Sequence, residues 1–249
     1  RNGTSESSVT PLQSELRQRG YAIEKMLNMK VWSKQEIQKL RVKAVAWYRA
    51  NKRELPWRET QDAYSVWVSE IMLQQTQVAT VIPYFKRFLE EFPTVVDLAN
   101  ATEERVLFHW AGLGYYRRAK QMHAAAKVIV TSHGGKFPSD HDQIMSLPGI
   151  GRYTAGAIRS FAFDLPSPIV EANTQRIYAR LLQLRGQLTD AKIQSELWNF
   201  ATSILPHKAG SGDTNQALME IGSQICLPKN PLCLLCPLRH MCPTYASGE

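Results

Sequence analysis

Four cysteines, and no others, stand near the end of this 249-residue chain as Cys226-x6-Cys233-x2-Cys236-x5-Cys242. Such a cluster limits what the C-terminal part can become. Soft thiolates close together on a Pro-rich loop suit a structural zinc or an iron–sulfur cluster. The alternative is two disulfides in a secreted tail. Disulfide scaffolds spread their cysteines through a small chain, whereas the first 225 residues here carry none, so the pattern favours metal or cluster. Free thiolates also fit an intracellular setting.

No run of about 18 apolar residues occurs, so no membrane span is expected. The opening Arg1-Asn2-Gly3-Thr4-Ser5-Glu6-Ser7-Ser8 is polar and unlike a secretory signal. Thirty Lys and Arg against 22 Asp and Glu give a net charge of +8, which favours polyanionic partners. Residues 1–30 read as a weakly ordered arm. After it, Ser33-x-x-Glu36 is a capping box, and Ile37, Leu40, Ala44, Trp47 and Tyr48 recur at helical spacing. Helical patterns then follow at Val66–Gln74, Val78–Phe92, from Pro93-Thr94 to Leu98, from Thr102 to Ala111, and at Tyr116–Ser132. Pro138-Ser139 opens the next, and others cover Tyr153–Phe163, Thr174–Leu182, 190–204 and 213–225. Sustained period-two alternation is absent. The chain reads as all-α with short connections.

Leu147-Pro148-Gly149-Ile150-Gly151 lies between two of these helices. Glycine permits positive φ and close backbone approach, and the free N–H groups of a helix starting near Arg152 suit a phosphate. An ordinary turn between helices is the other reading of two glycines. The whole string resembles the hairpin of the helix-hairpin-helix DNA glycosylases, and the cysteine spacing resembles their [4Fe–4S] loop. Leu55-Pro-Trp-Arg58, Val66-Trp-Val-Ser-Glu-Ile-Met-Leu-Gln-Gln-Thr-Gln-Val78, Trp110-Ala-Gly-Leu-Gly-Tyr-Tyr116 and Gly151-Arg-Tyr-Thr-Ala-Gly-Ala157 resemble the MutY-type adenine glycosylases. This similarity runs from about Val31 to Pro243.

The resemblance implies a six-helix barrel domain (62–164, hairpin at about 139–163) and an iron–sulfur cluster helical domain (31–61 and 165–249), with the site in the cleft between them. It implies a structural [4Fe–4S] cluster on Cys226, Cys233, Cys236 and Cys242, with Lys229, Arg239 and His240 set against DNA. The implied activity is monofunctional removal, in base excision repair, of adenine mispaired with 8-oxoguanine or guanine. The partner is double-stranded DNA, the protein a monomer, and the compartment a bacterial cytoplasm, or a nucleus or mitochondrion. Glu70 is implied as general acid and Glu171 as the carboxylate facing the sugar cation. The family has Val-Asp-Gly-Asn where this chain has Val170-Glu171-Ala172-Asn173. Asn173 orients that carboxylate or a water. Tyr153 occupies the position of the Schiff-base lysine of bifunctional relatives, and a phenol cannot do that chemistry. Arg53, Trp57, Leu73 and Gln216 surround the base, Gln75 fills the space it vacates, and Gly149, Gly151, Tyr115 and Arg117 face DNA. Arg118 and Lys120 contact phosphate or form a solvated face. A thymine mismatch glycosylase and a DNA-binding relative with weakened catalysis are the alternatives. Full-length relatives carry a Nudix-like C-terminal domain that reads 8-oxoguanine; none is expected in these residues, so weaker discrimination between 8-oxoguanine and guanine is expected.

Overall fold

A computed structural model describes residues 30–248. Apart from Lys30, the expected N-terminal arm lies outside the described residues. The elements are α1 (Lys34–Asn51), a 3₁₀ turn at Pro56–Arg58, α2 (Ala63–Leu73), α3 (Val78–Glu91), α4 (Val95–Asn100), α5 (Glu103–Trp110) and α6 (Arg117–His133). They continue with α7 (His141–Met145), α8 (Arg152–Phe161), α9 (Ala172–Leu182), α10 (Ala191–Ile204) and α11 (Ser211–Gln224). Two 3₁₀ turns, Cys233–Leu235 and Arg239–Met241, precede the short α12 (Pro243–Ala246). No strand occurs among the described residues, as the all-α reading expects.

Local chemistry sets the helix starts. The Ser33–Glu36 capping box forms as its sequence predicts, and Thr94 and Thr102 cap α4 and α5. Three helices begin at places the periodicity misplaces, because a side-chain acceptor reaches their free N–H groups. Asp62 accepts from Ser65 N at 2.7 Å, so α2 starts at Ala63 rather than Val66. Asp140, not Ser139, caps α7. Glu171 caps α9, which starts at Ala172 rather than Thr174.

The buried apolar residues form two clusters. One lies between Leu55 and Ile158, with Trp67, Phe88, Trp110 and Ile129 fully buried. The other joins Ile37–Tyr48 of α1 to residues from Val170 to Leu238. In the first cluster α2 is enclosed on every side: each residue from Ala63 to Met72 is buried. A helix apolar all round belongs in a core, so the one carboxylate on it, Glu70, is forced inside.

In the hairpin between α7 and α8, Gly149 has φ +77°, and a Cβ there would stand 2.8 Å from Gln121 Cβ. Gly151 caps α8 without a side-chain bond, which leaves the first N–H groups of α8 open.

Candidate active site

A cavity of about 410 Å³ opens between the two clusters. Tyr48, Gln216, Trp57 and Leu73 line it, together with Glu70, Tyr153, Glu171 and Asn173. Its size falls within the range of small-ligand pockets. All eight residues expected at the base and the reaction centre border this one space: Arg53, Trp57, Glu70, Leu73, Tyr153, Glu171, Asn173 and Gln216.

Glu70 is 5% exposed. Burial pushes its carboxyl up to about 7, and the nearby Glu171 adds to this, while the Tyr153 bond and the charge of Arg58 pull it down. Tyr153, on α8, donates from its hydroxyl to Glu70 Oε2 at 2.6 Å. The phenol itself is pushed far up by burial and by both carboxyls, so it remains a donor.

Glu171 is used as a helix cap. Its Oε2 accepts from Asn173 N at 2.9 Å and Asn173 Nδ2 at 3.1 Å, and its Oε1 accepts from Thr174 N at 2.8 Å. Thr174 Oγ1 returns a bond by accepting from Glu171 N at 2.8 Å. Burial pushes the carboxyl up, and these N–H donors oppose it. Three N–H donors on two oxygens fit the ionised form, which the N-terminal end of α9 also favours.

Asn173 is itself held. Its Oδ1 accepts from Arg176 Nη2 at 2.9 Å, and Arg176 also donates to the carbonyls of Gly222 and Cys226. A Cβ on Gly222 would stand 2.7 Å from Asn173 O and 2.9 Å from Asn173 Cβ. Gly222→Ala is therefore expected to displace the Asn173–Glu171 cap and lower turnover by at least about tenfold, through a shift well under 1 Å. Comparing single-turnover rates of the purified variant and parent checks this.

Arg53 borders this cavity, but most of its guanidinium is already paired. Its donors are committed to Glu220, which the sequence reading did not single out: Arg53 Nε to Oε1 at 2.6 Å and Nη2 to Oε2 at 2.9 Å. Among its guanidinium nitrogens only Nη1 has no protein partner in the described residues. Gln216 receives a bond from Tyr48 Oη on its Oε1 at 2.8 Å, leaving its amide NH₂ to the cavity. Trp57 is buried, with Phe85 edge-on at 5.4 Å between centroids.

The remaining expected DNA-facing residues border a second, open groove: Gln75, Tyr115, Arg117, Gly149 and Gly151. Gln75 and Tyr115 both stand at positive φ, 56° and 48°. Arg118 fits neither of its expected roles. Its guanidinium turns inward onto the carbonyls of Ile71, Met72 and Gln74 at 2.8, 3.1 and 2.6 Å. It thereby closes the C-terminus of α2 and supports the turn that carries Gln75. Lys120 pairs with Glu103 at 2.7 Å on the surface.

The four thiols are all free and line one cavity of about 250 Å³ beneath the C-terminal loop. Burial pushes the Cys236 thiol up to about 11, and the other three cysteines add to it, so the thiolates need a shared positive centre. Among the described residues, no three His, Cys, Asp or Glu side chains converge on one ion position. Four thiols lining one cavity are a donor set that suits a thiolate-bound metal or iron–sulfur centre. Arg180 Nη1 donates to Cys226 Sγ at 3.1 Å, a bond suited to a charged sulfur ligand. Of the basic residues expected against DNA there, Lys229 and His240 are exposed, and Arg239 bonds Leu234 O at 2.9 Å.

Among curated proteins, the chain is 46% identical over 201 residues to the adenine DNA glycosylase of Buchnera aphidicola (subsp. Schizaphis graminum), covering 80% of this chain and 57% of that protein. It is 41% identical over 219 residues to the mouse adenine DNA glycosylase, covering 84% of this chain and 42% of that one. It thus spans about half the length of these relatives. Among solved structures, a thermostable thymine-DNA glycosylase matches with a TM-score of 0.77 at 26% identity, over 86% of this chain and 98% of that one. An endonuclease III–DNA complex shares the fold with a TM-score of 0.71 at 23% identity, over 88% of this chain and 99% of that one. The model of the HhH-GPD superfamily of base excision DNA repair proteins matches residues 68–202, more than half of the chain and the part that carries Glu70, Tyr153 and Glu171. The chain belongs to that superfamily.

Proposed function

We propose that this chain is a monofunctional adenine DNA glycosylase of base excision repair, acting on adenine mispaired with 8-oxoguanine or guanine in double-stranded DNA. The observation that carries this reading is a buried carboxyl, Glu70, bonded by Tyr153 and pushed up to about 7, bordering the same cavity as a second carboxyl, Glu171, whose oxygens accept three N–H bonds. Two carboxyls in unlike environments divide acid and electrostatic roles between them. The adenine glycosylases among the similar proteins support the choice of base.

In this reading the adenine leaves the stack and enters the cavity between Trp57 and Leu73. Gln216 and the free edge of Arg53 bond its rim. Glu70 gives its proton to N7 as the C1′–N9 bond breaks, and the bonding electron pair leaves with the purine. Positive charge grows on the sugar and faces Glu171. Because three N–H groups hold both of its oxygens, Glu171 acts as a fixed negative charge rather than as a mobile nucleophile. Water then adds at C1′ and gives up a proton to the Glu70 carboxylate, which restores the acid. Tyr153 has no amine, so no Schiff base forms and the strand stays intact. The second groove takes the duplex, with Gln75 filling the vacated space, Tyr115 and Arg117 at its rim, and the open amides of α8 beyond Gly149 and Gly151 on a phosphate. The cluster around Leu55–Ile158 is one domain and the cluster that includes α1 and the C-terminal part is the other. The protein works as a monomer, inside the compartment that holds its DNA.

Cys226, Cys233, Cys236 and Cys242 would hold a [4Fe–4S] cluster, which supplies a structural crosslink and no open coordination position. Iron and inorganic sulfide in equal amounts, about four of each per chain, are expected; zinc without sulfide would overturn that assignment.

The test is base release from duplexes with adenine opposite 8-oxoguanine and opposite guanine, run beside guanine–thymine duplexes. Adenine release without strand cleavage is expected. Thymine release alone would establish the second reading, which the structural likeness to a thymine-DNA glycosylase favours. Binding without any release would mean that Glu171 has cost the chain its chemistry.

The Tyr153 bond lowers the pKa of Glu70, and the protonated acid is the active form. Activity therefore falls as pH rises through about 7. Tyr153→Phe removes a lowering influence, so the alkaline limb of its pH–rate profile is expected at higher pH than the parent's. A limb at the same or lower pH would contradict the role of Tyr153.

A further inference from the structure

The first turn of α11 is capped from a distant part of the chain. Its N-cap is Gly210, at φ +101°, which has no side chain to offer the free N–H groups of the helix. Asp164, in the turn after α8, supplies the acceptors from 46 and 48 positions away. Its Oδ2 accepts from Gly210 N at 2.7 Å and its Oδ1 from Gly212 N at 2.9 Å. Asp164 itself stands at φ +51°, a left-handed conformation that aspartate tolerates better than most residues. Beside this bond the two helices approach closely: a Cβ on Gly212 would stand 2.6 Å from Ser160 O. One carboxylate and one close backbone approach therefore seat the start of α11 on the end of α8.

Both helices carry residues of the candidate site. Tyr153 on α8 bonds Glu70, and Gln216 lies on α11, about one helical turn beyond Gly212. A second cavity, lined by Asp164 and Gly212, shares Gln61, Phe161, Asp213 and Gln216 with the base cavity. Gln216 therefore stands in the partition between the Asp164 cap and the space for a base. From the other side α1 grips the same stretch of α11. Arg49 donates to Asp213 Oδ2 by Nε at 2.9 Å and by Nη2 at 2.7 Å, and Tyr48 bonds Gln216 Oε1. Thus α1 holds the side chain of Gln216, while Asp164 holds the helix that carries it against α8.

We propose that Asp164 is a positioning residue for base recognition: by capping α11 from the α8 side, it sets where the Gln216 amide stands relative to Glu70. This rests on the glycosylase reading for its effect on rate, but not for its effect on Gln216. Without the carboxylate, two N–H groups of α11 lose their acceptor and the start of the helix is free to shift. A displacement of about 1 Å in a site can cost about 10²-fold in rate. The effect passes through Gln216, because the other cavity residue near the cap, Asp213, is already held by Arg49.

The test uses Asp164→Gly in the whole protein, since glycine suits the left-handed turn and only the carboxylate is lost. Without DNA, the side-chain NH₂ signal of Gln216 in a ¹⁵N spectrum should shift or broaden, and the Gly210 and Gly212 amides should lose hydrogen-exchange protection. Single-turnover release of adenine at saturating protein should slow by about tenfold. Gln216→Ala should also slow release, and adding Asp164→Gly to it should slow release no further, because residues that act through one another do not add. Losses that multiply in the double variant, or an unmoved Gln216 signal in Asp164→Gly, would overturn the proposal, since a cap that serves stability alone predicts both. If Asp164→Gly does not fold, Asp164→Asn decides, because it suits the turn and keeps one acceptor. A smaller loss that vanishes in the Gln216→Ala background is then expected, and a parent-like rate with a parent-like Gln216 signal overturns the proposal. If the parent releases no base, the glycosylase reading fails, and the Gln216 signal still decides the role of Asp164.

Discussion

Glu70→Gln is expected to lower the single-turnover rate of adenine release by about 10³-fold, within the span that a positioned general acid contributes. Glutamine keeps the shape and the acceptor for the Tyr153 hydroxyl, but it has no proton to give N7. The residual rate should be flat across pH, because the titrating group is gone, so the fold loss is largest below pH 7 and shrinks as the parent's own rate falls. Retained DNA binding would separate this from a folding defect. A loss below about tenfold would mean that another group protonates the base. The same substitution carries an opposite expectation for stability. In the unfolded chain Glu70 loses its proton near 4.5, and in the folded protein near 7. Between those values the folded state binds more protons than the unfolded one, so stability falls as pH rises through that window. The whole loss, about 3 kcal/mol, is present above pH 7. Glutamine escapes it. The variant should resist urea better than the parent at pH 8 and equally well at pH 4, a site where stability is given up for function.

Glu171 carries the second large effect. Glu171→Gln is expected to reduce turnover by about 10²–10³-fold, the range seen when one electrostatic partner of a transition state is removed. It should also destabilise the protein by about 1 kcal/mol, since an amide NH₂ cannot accept from the N–H groups at the start of α9. Glu171→Asp should behave differently. Aspartate is a natural N-cap and reaches the same N–H groups with one fewer rotatable bond. It withdraws the charge by about 1.5 Å, the length of one carbon–carbon bond, and fixes it more firmly. Activity equal to or several-fold above the parent's is expected. If aspartate and glutamine both leave turnover unchanged, the cation is stabilised elsewhere.

Much of this architecture was legible in the residues. Ser33-x-x-Glu36, Thr94 and Thr102 announce helix starts because a cap is a local bond over three residues. Glu70 was legible too: a carboxylate within Val66–Met72 has no polar face to occupy. By the same criterion Glu220, between Leu218 and Ile221, could have been noticed. Its role could not, because its partners Arg53 and Arg58 are 167 and 162 positions away. Arg118 shows the converse. Within Arg117-Arg118-Lys120 it resembles a surface cation, and only the end of α2 meeting the start of α6 turns it inward. The capping role of Glu171 was hidden because glutamate is an uncommon cap, and the sequence showed only a carboxylate before a helix.

The cavity has walls from both ends of the chain and a floor from its middle. Tyr48 meets Gln216 across 168 positions, and Arg53 meets Glu220 across 167, while Tyr153 reaches Glu70 across 83. Contacts that close such long loops are costly to form before others have organised the chain, so they complete late. The middle segment can pack α2 against α8 first and hold a buried, protonated Glu70 with no chamber above it. Only when the flanking segments join over it does the space for a base exist. In a refolding experiment, the amides of α2 should gain hydrogen-exchange protection before those of α1 and α11, and the capacity to hold a flipped nucleotide should arrive with the second group.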